Sequence, residues 1–227
     1  MSSNLSTVTR WIGTDEAGKG DYFGPLVVAG VLVDANTAKS FEELGIRDSK
    51  KLSDSIIKDL AAKIKHDSPL SIVAIGPEKY NELYAKIGNL NRLLAWGHSR
   101  VIENILEKEQ CDYVLADQFG DEKFIVQALM EKGKKIQVIQ KAGAESDIGV
   151  AAASILARAE FVQRLTALSL KYGMNFPKGA SPQVIETGRE FVKRYGKGKL
   201  NEVAKIHFKT TKLVLAKTES AQRSTAT

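Results

Sequence analysis

The sequence predicts an α/β domain with a central mixed sheet flanked by helices, and three observations predict it. Short β-branched runs alternate along the chain with longer stretches whose apolar residues recur at helical spacing. Two of the strand-like runs end in acids, the first at Asp15 and Glu16 and the second at Asp117. Neither an internal repeat nor a long linker interrupts this alternation.

Taken in order, residues 11–16 approach the first acids as a strand, and Gly18, Gly20 and Gly24 then mark a tight turn. LVVAGVLV at 26–33 is a buried strand, so the two strands read as a hairpin. Ser53 is a candidate N-cap for a helix carrying Ile56, Ile57, Leu60, Ala61 and Ile64. A strand at 70–75 and helices at 77–85 and 90–106 follow, then a strand at 113–117, a helix at 122–132 and a strand at 136–139. A long alanine-rich helix is expected at 148–168 and another helix at 183–195, with loops at 178–182 and 196–199 and a docked segment around Val203, Ile206 and Phe208. The simplest organisation is a single catalytic domain over 1–217, with a helical C-terminal region at about 175–217, and a flexible polar tail at 218–227.

The 227-residue chain is 43% hydrophobic and 26% charged, the balance of a globular protein with a real core. No stretch approaches the roughly 18 apolar residues that span a bilayer, and the polar start lacks a signal pattern, so the expected compartment is the cytoplasm. A lone Cys111 permits no internal disulfide, zinc cluster or CxxC pair, and reads as a small apolar filler. The net charge of +6 suits a polyanionic partner without identifying one.

The acids carry the chemistry. Phosphodiester hydrolysis needs an activated water and relief of charge on phosphate and leaving oxygen, which hard divalent ions supply from a few carboxylates. Neighbouring side chains on a strand alternate sides, so Asp15 and Glu16 are expected to converge only where the strand ends or bulges into the glycine turn. Asp117 closes a buried strand, a common site position in α/β sheets, although an acid there also caps turns. Glu145 and Asp147 precede the alanine-rich helix, where the macrodipole favours negative charge, so both also read as ordinary helix-start residues. Lys19, Lys50 and Lys51 are candidates to meet phosphates or simply to balance the acids. His98 reads as a packed helix residue, His66 as solvent-facing and His207 as a weak candidate for phosphate contact. No Ser-His-Asp order and no GxxxxGK[ST] loop is present, which disfavours serine hydrolases and nucleotide kinases.

GTDEAGKGDYFGPLVVAGV at 13–31, RDSKKLSD at 47–54, LADQFG at 115–120 and AESDIGVAAASILAR at 144–158 resemble the type 2 ribonuclease H superfamily. The GKGDYFGPLVVA wording, the DQFG step, PKGAS at 177–181 and AKIHFKTTK at 204–212 look like ribonuclease HIII rather than ribonuclease HII, whose turn is typically GRG. The resemblance implies a ribonuclease H-like fold with a mixed five-stranded sheet. It also implies endonucleolytic cleavage of the RNA strand of RNA/DNA hybrids with two Mg²⁺ or Mn²⁺ ions, leaving 5′-phosphate and 3′-hydroxyl ends. Position by position it implies Asp15, Glu16 and Asp117 as metal-site carboxylates and Glu145 as the fourth, with Asp147 the alternative. Gly18, Lys19 and Gly20 match the turn that meets the sugar-phosphate and senses the 2′-hydroxyl, a role suited to residues that admit close backbone approach. Ser49, Lys50 and Ser154 are further candidates for substrate contact. The family's usual N-terminal substrate-binding domain is not expected in this chain, and a monomer without an obligate protein partner is. Two alternatives remain at this point: incision at single ribonucleotides embedded in DNA, as in ribonuclease HII, and a non-catalytic nucleic-acid-binding module. The second has no use for acids at the ends of buried strands facing a polyanion.

Overall fold

The computed structural model describes residues 9–46 and 52–223, with side chains described to residue 216. Five strands form one sheet in the order β3-β2-β1-β4-β5: β1 (Arg10–Ala17), β2 (Leu26–Asp34), β3 (Leu70–Ile75), β4 (Tyr113–Asp117) and β5 (Gln137–Lys141). The helices are α1 (Ala35–Glu43), α2 (Asp54–Asp67), α3 (Pro77–Ile87), α4 (Leu90–Leu106), α5 (Glu122–Ala128), α6 (Ile148–Tyr172), α7 (Pro182–Tyr195) and α8 (Lys209–Arg223). Among the described residues no helix is long and apolar enough to cross a membrane.

The chain divides into two compact units. The first holds the described residues up to Ala17, Val28–Val73 and Asn91–Ala159. Here β1 pairs parallel with β4, and β4 parallel with β5. That register aligns Ile12, Val114 and Val138 in one row. The row is buried against Ala95, Ile102 and Ile105 of α4 and Ile125 of α5, each fully buried aliphatic side chain contributing about 1.5–3 kcal/mol. Strand alternation then sends Thr14 and Glu16 to the same face as Ile12, and Gly13 and Asp15 to the other.

The second unit holds Gly18–Val27, Ala74–Leu90 and the described residues from Glu160 onward. Tyr22, Phe23, Phe176 and Phe191 lie at its centre, with Tyr22–Phe23 and Phe23–Phe176 ring centroids 4.9 and 4.8 Å apart. Helices α7 and α8 pack so closely that a Cβ on Gly188 would stand 2.6 Å from a methyl of Val214. Residues 160–227 contain 13 Lys and Arg against five Asp and Glu, so this stretch carries the positive surplus of the chain.

Several elements depart from the sequence reading, among them α8, which runs to Arg223 where a flexible tail was expected from 218, and three others. Helix α1 was not expected, because Phe41 is its one buried residue and no apolar stripe announces it; Asp34 starts it by accepting the Thr37 amide at 2.8 Å. Helix α5 stops at Ala128, short of the expected 132, since the Glu103 carboxylate takes the amides of Lys132 and Gly133 (each 2.9 Å). Lys197–Glu202 forms a 3-10 helix where a loop was expected at 196–199.

Candidate active site

The candidate acids are set by the first unit's sheet. Gly13 leads into them on the face toward α6, and a Cβ there would fall 2.1 Å from the Gly149 carbonyl carbon. Only glycine lets helix and strand approach this far, and Ala151, Ala152 and Ala153 keep the start of α6 small. Two residues on, Asp15 shares that face and accepts a hydrogen bond from Ser154 of α6. The β1–β4 register runs to Thr14 opposite Ala116, and one further step puts Asp15 beside Asp117. Burial, the neighbouring Glu16 carboxylate and then Asp117 push the Asp15 carboxyl up to about 7.

Glu16 points the other way. β1 runs as a strand through both acids and ends at Ala17, and across that end the Asp15 carboxyl, raised by burial, is raised further by Glu16. Its carboxylate lies 3.2 Å from His98 Nε2, whose Nδ1 is 2.9 Å from Thr14 Oγ1. Because a carboxylate only accepts, Nε2 is the protonated nitrogen of that contact. The histidine side chain is fully buried and stacks on Phe119 with centroids 4.6 Å apart. His98 is thus more than a packed helix residue: one ring grips two residues of β1. The one signal for it in sequence is a polar ring amid the buried face of α4.

Asp117 accepts the Ala144 amide at 3.1 Å, and its carboxyl is raised by burial and by Glu145, with which it shares a hydrogen bond. Asp147 is engaged differently. Its Oδ1 accepts the amides of Gly149 (2.9 Å) and Val150 (3.1 Å), which caps α6, and the indole N–H of Trp11 (3.1 Å). Of the two candidates for a fourth carboxylate, Glu145 therefore faces Asp117, while Asp147 is occupied in holding α6 to β1.

Gly18, Lys19 and Gly20 belong to the second unit. Gly18 has φ +89°, and a Cβ would meet the Pro25 carbonyl at 2.3 Å, so the fold itself demands glycine. Gly20 is exposed, has no left-handed φ, and a Cβ there would meet nothing within 4 Å. No feature inside the described chain calls for glycine at that position. Ser49, Lys50 and Lys51 lie outside the described residues.

The donors suit a hard divalent cation: they are all oxygens, and burial crowds their negative charges together. Among the described residues no three His, Cys, Asp or Glu side chains close into a ready-made cage. Mg²⁺ does not need one, since it is usually held by one or two carboxylates with waters and substrate phosphate completing its shell.

Comparison with known proteins gives the family. Residues 12–211 match the Ribonuclease HII family. The chain belongs to that family. Within it, the chain is 45% identical over 210 residues to Ribonuclease HIII of Protochlamydia amoebophila, covering 92% of this chain and 70% of that one. It is 46% identical over 202 residues to Ribonuclease HIII of Chlamydia abortus, covering 88% and 67%. Among solved structures it superposes on Bst-RNase HIII in complex with Mn²⁺ with a TM-score of 0.85 and 30% identity, over 92% of this chain and 70% of the other. The protein is a ribonuclease H enzyme of the HIII type, an endoribonuclease of RNA/DNA hybrids, and its family uses divalent metals such as Mg²⁺ or Mn²⁺. The non-catalytic alternative is set aside, and the five-stranded sheet is the one expected.

Proposed function

We propose that Asp15, Glu16, Asp117 and Glu145 hold two divalent ions against the RNA strand of an RNA/DNA hybrid, and that cleavage leaves 5′-phosphate and 3′-hydroxyl ends. The observation that carries this reading is the placement of Asp15 beside Asp117, with its carboxyl raised to about 7 by burial and by two neighbouring acids. Such mutual repulsion is relieved when a cation binds. Bound there, the ions supply an activated water and charge relief at the phosphate. Ser154 orients Asp15 through its hydroxyl, the Ala144 amide orients Asp117, and His98 orients Glu16.

Substrate contact is assigned to Gly18, Lys19 and Gly20, with Ser49, Lys50 and Ser154 as further contacts. Gly20 supports this, because an exposed glycine with no internal reason to be one admits the close approach of a sugar-phosphate backbone. The basic region 175–217 adds attraction for the phosphates. The chain is taken to act as one catalytic domain and as a monomer in the cytoplasm.

Asp15→Asn and Asp117→Asn test the assignment on a labelled hybrid with Mg²⁺ or Mn²⁺. Both should abolish cleavage while hybrid binding persists. Near-wild-type turnover in the two purified variants would overturn it. Running a duplex with a single embedded ribonucleotide beside the full hybrid separates HIII-type from HII-type substrate preference.

A further inference from the structure

The segment following the glycine turn is enclosed, within the second unit, by residues from the far end of the chain. The amide of Tyr22 donates to the Gly179 carbonyl at 2.9 Å, and the Gly179 amide donates to Asp21 Oδ1 at 2.6 Å. The Gly24 amide donates to Val203 at 2.9 Å, the Lys205 amide to Tyr22 at 2.8 Å, and the Tyr22 hydroxyl lies 3.1 Å from Thr211 Oγ1. At the centre is Lys205, whose side chain is fully buried. Its Nζ donates to the Asp21 and Gly24 carbonyls, both at 2.8 Å, and lies 5.6 Å from the Tyr80 ring centroid.

A buried lysine is an expensive way to fill space. Desolvation drives its ammonium down to about 7 against the pull of Asp21. An apolar residue of similar length would fill the same volume without that penalty, but could not bond two carbonyls that bracket a three-residue rise. Those carbonyls flank Tyr22 and Phe23, and the Asp21 amide in turn donates back to the Gly18 carbonyl at 3.3 Å. Lys205 therefore acts on the end of the turn that carries Gly18, Lys19 and Gly20.

We propose that Lys205 is a positioning residue for substrate binding: by tying the carbonyls of Asp21 and Gly24, it fixes the shape in which Gly18–Gly20 meets the hybrid. This rests on the reading of Gly18–Gly20 as a substrate-contacting turn. It also gives the AKIHFKTTK and PKGAS motifs a shared task, since Lys205 and Gly179 hold the same four residues.

The full chain is compared as wild type, Lys205→Met, Lys205→Gln and Gly20→Ala in steady-state cleavage of a labelled RNA/DNA hybrid with Mn²⁺. Melting temperature and calorimetric Mn²⁺ affinity are measured on the same preparations. Lys205→Met is expected to raise KM about tenfold, within the loss of up to about 100-fold that a 1 Å misplacement can cause, with Mn²⁺ affinity unchanged. Lys205→Gln keeps N–H donors and should raise KM less. A Met variant that melts lower yet cleaves with the wild-type KM would show a merely structural lysine and overturn the proposal; if Met does not fold, the Gln variant decides by the same comparison of melting temperature and KM. Gly20→Ala probes the underlying reading. A raised KM there with no change at position 205 removes the role of Lys205 alone, and no change at either position removes the turn's role as well.

Discussion

Asp147 Oδ1 lies 3.1 Å from the indole nitrogen of Trp11, and the same oxygen caps α6. A carboxylate oxygen with three protein donors is committed to structure, whereas Glu145 meets another acid, Asp117. Asp147→Ala should therefore lower stability by about 1 kcal/mol or more, the usual effect of losing a cap, while the folded fraction keeps its turnover. Glu145→Gln should do the reverse, abolishing most cleavage with the melting temperature unchanged or raised. Denaturant melts combined with activity per folded molecule check both, and a fully active Glu145→Gln enzyme would return Asp147 to candidacy.

His98 holds Glu16 from the opposite side of the sheet. Removing a hydrogen-bond partner of a metal-binding carboxylate typically costs about 10–100-fold in metal affinity or activity. His98→Ala is expected to weaken Mn²⁺ binding by that order in calorimetry. Wild-type affinity in a folded His98→Ala protein would mean that the ring serves packing alone.

The carboxyl of Asp15 titrates near 7 in the folded chain, against an ordinary value of 3.8. Between those limits the folded state holds a proton that the unfolded state has released, so stability falls as pH rises through the window and levels off above it. Asp117, also raised, adds in the same direction. With chelator present, the melting temperature should decline from about pH 4 to about pH 7 beyond any general trend. Asp15→Asn should flatten much of that decline, and Mn²⁺ added at pH 8 should raise the wild-type midpoint. Identical slopes for wild type and Asp15→Asn would contradict the crowding of charge around this residue.

Gly13 admits α6 to the strand. Its replacement by alanine drives a methyl into the Gly149–Val150 backbone, where neither partner is the loose end of a side chain. Overpacking of this kind costs about 1–3 kcal/mol. Gly13→Ala is expected to lose both stability and activity, whereas alanine at Gly20 should leave the melting temperature as it was.

Much of the sheet was legible in the sequence because buried strands declare themselves: LVVAGVLV and the run before Asp117 are where the apolar pattern places them. The candidate acids were chosen through motif wording as much as through physics. What periodicity could not supply was their mutual arrangement. Glu145 and Asp147 stand two residues apart before the same helix, and only long-range contacts to Asp117 and Trp11 separate them. The grip of His98 on Glu16 was hidden for the same reason, since the partners are 82 residues apart. Helix α1 was missed because it buries one residue, and the structural task of Lys205 because a surface role is the default for lysine.

The opposed directions of Asp15 and Glu16 make β1 intolerant of insertion or deletion. Sliding β1 by a single position would turn Glu16 toward α6 and Asp15 toward His98, putting a long acid in the place of a short one and a short one in the place of a long one, and would carry Ile12 out of the interior in the same movement. An error of one codon within β1, between residues 10 and 15, would thus reach fold and chemistry together, whereas the same lesion in an exposed connection would leave both intact.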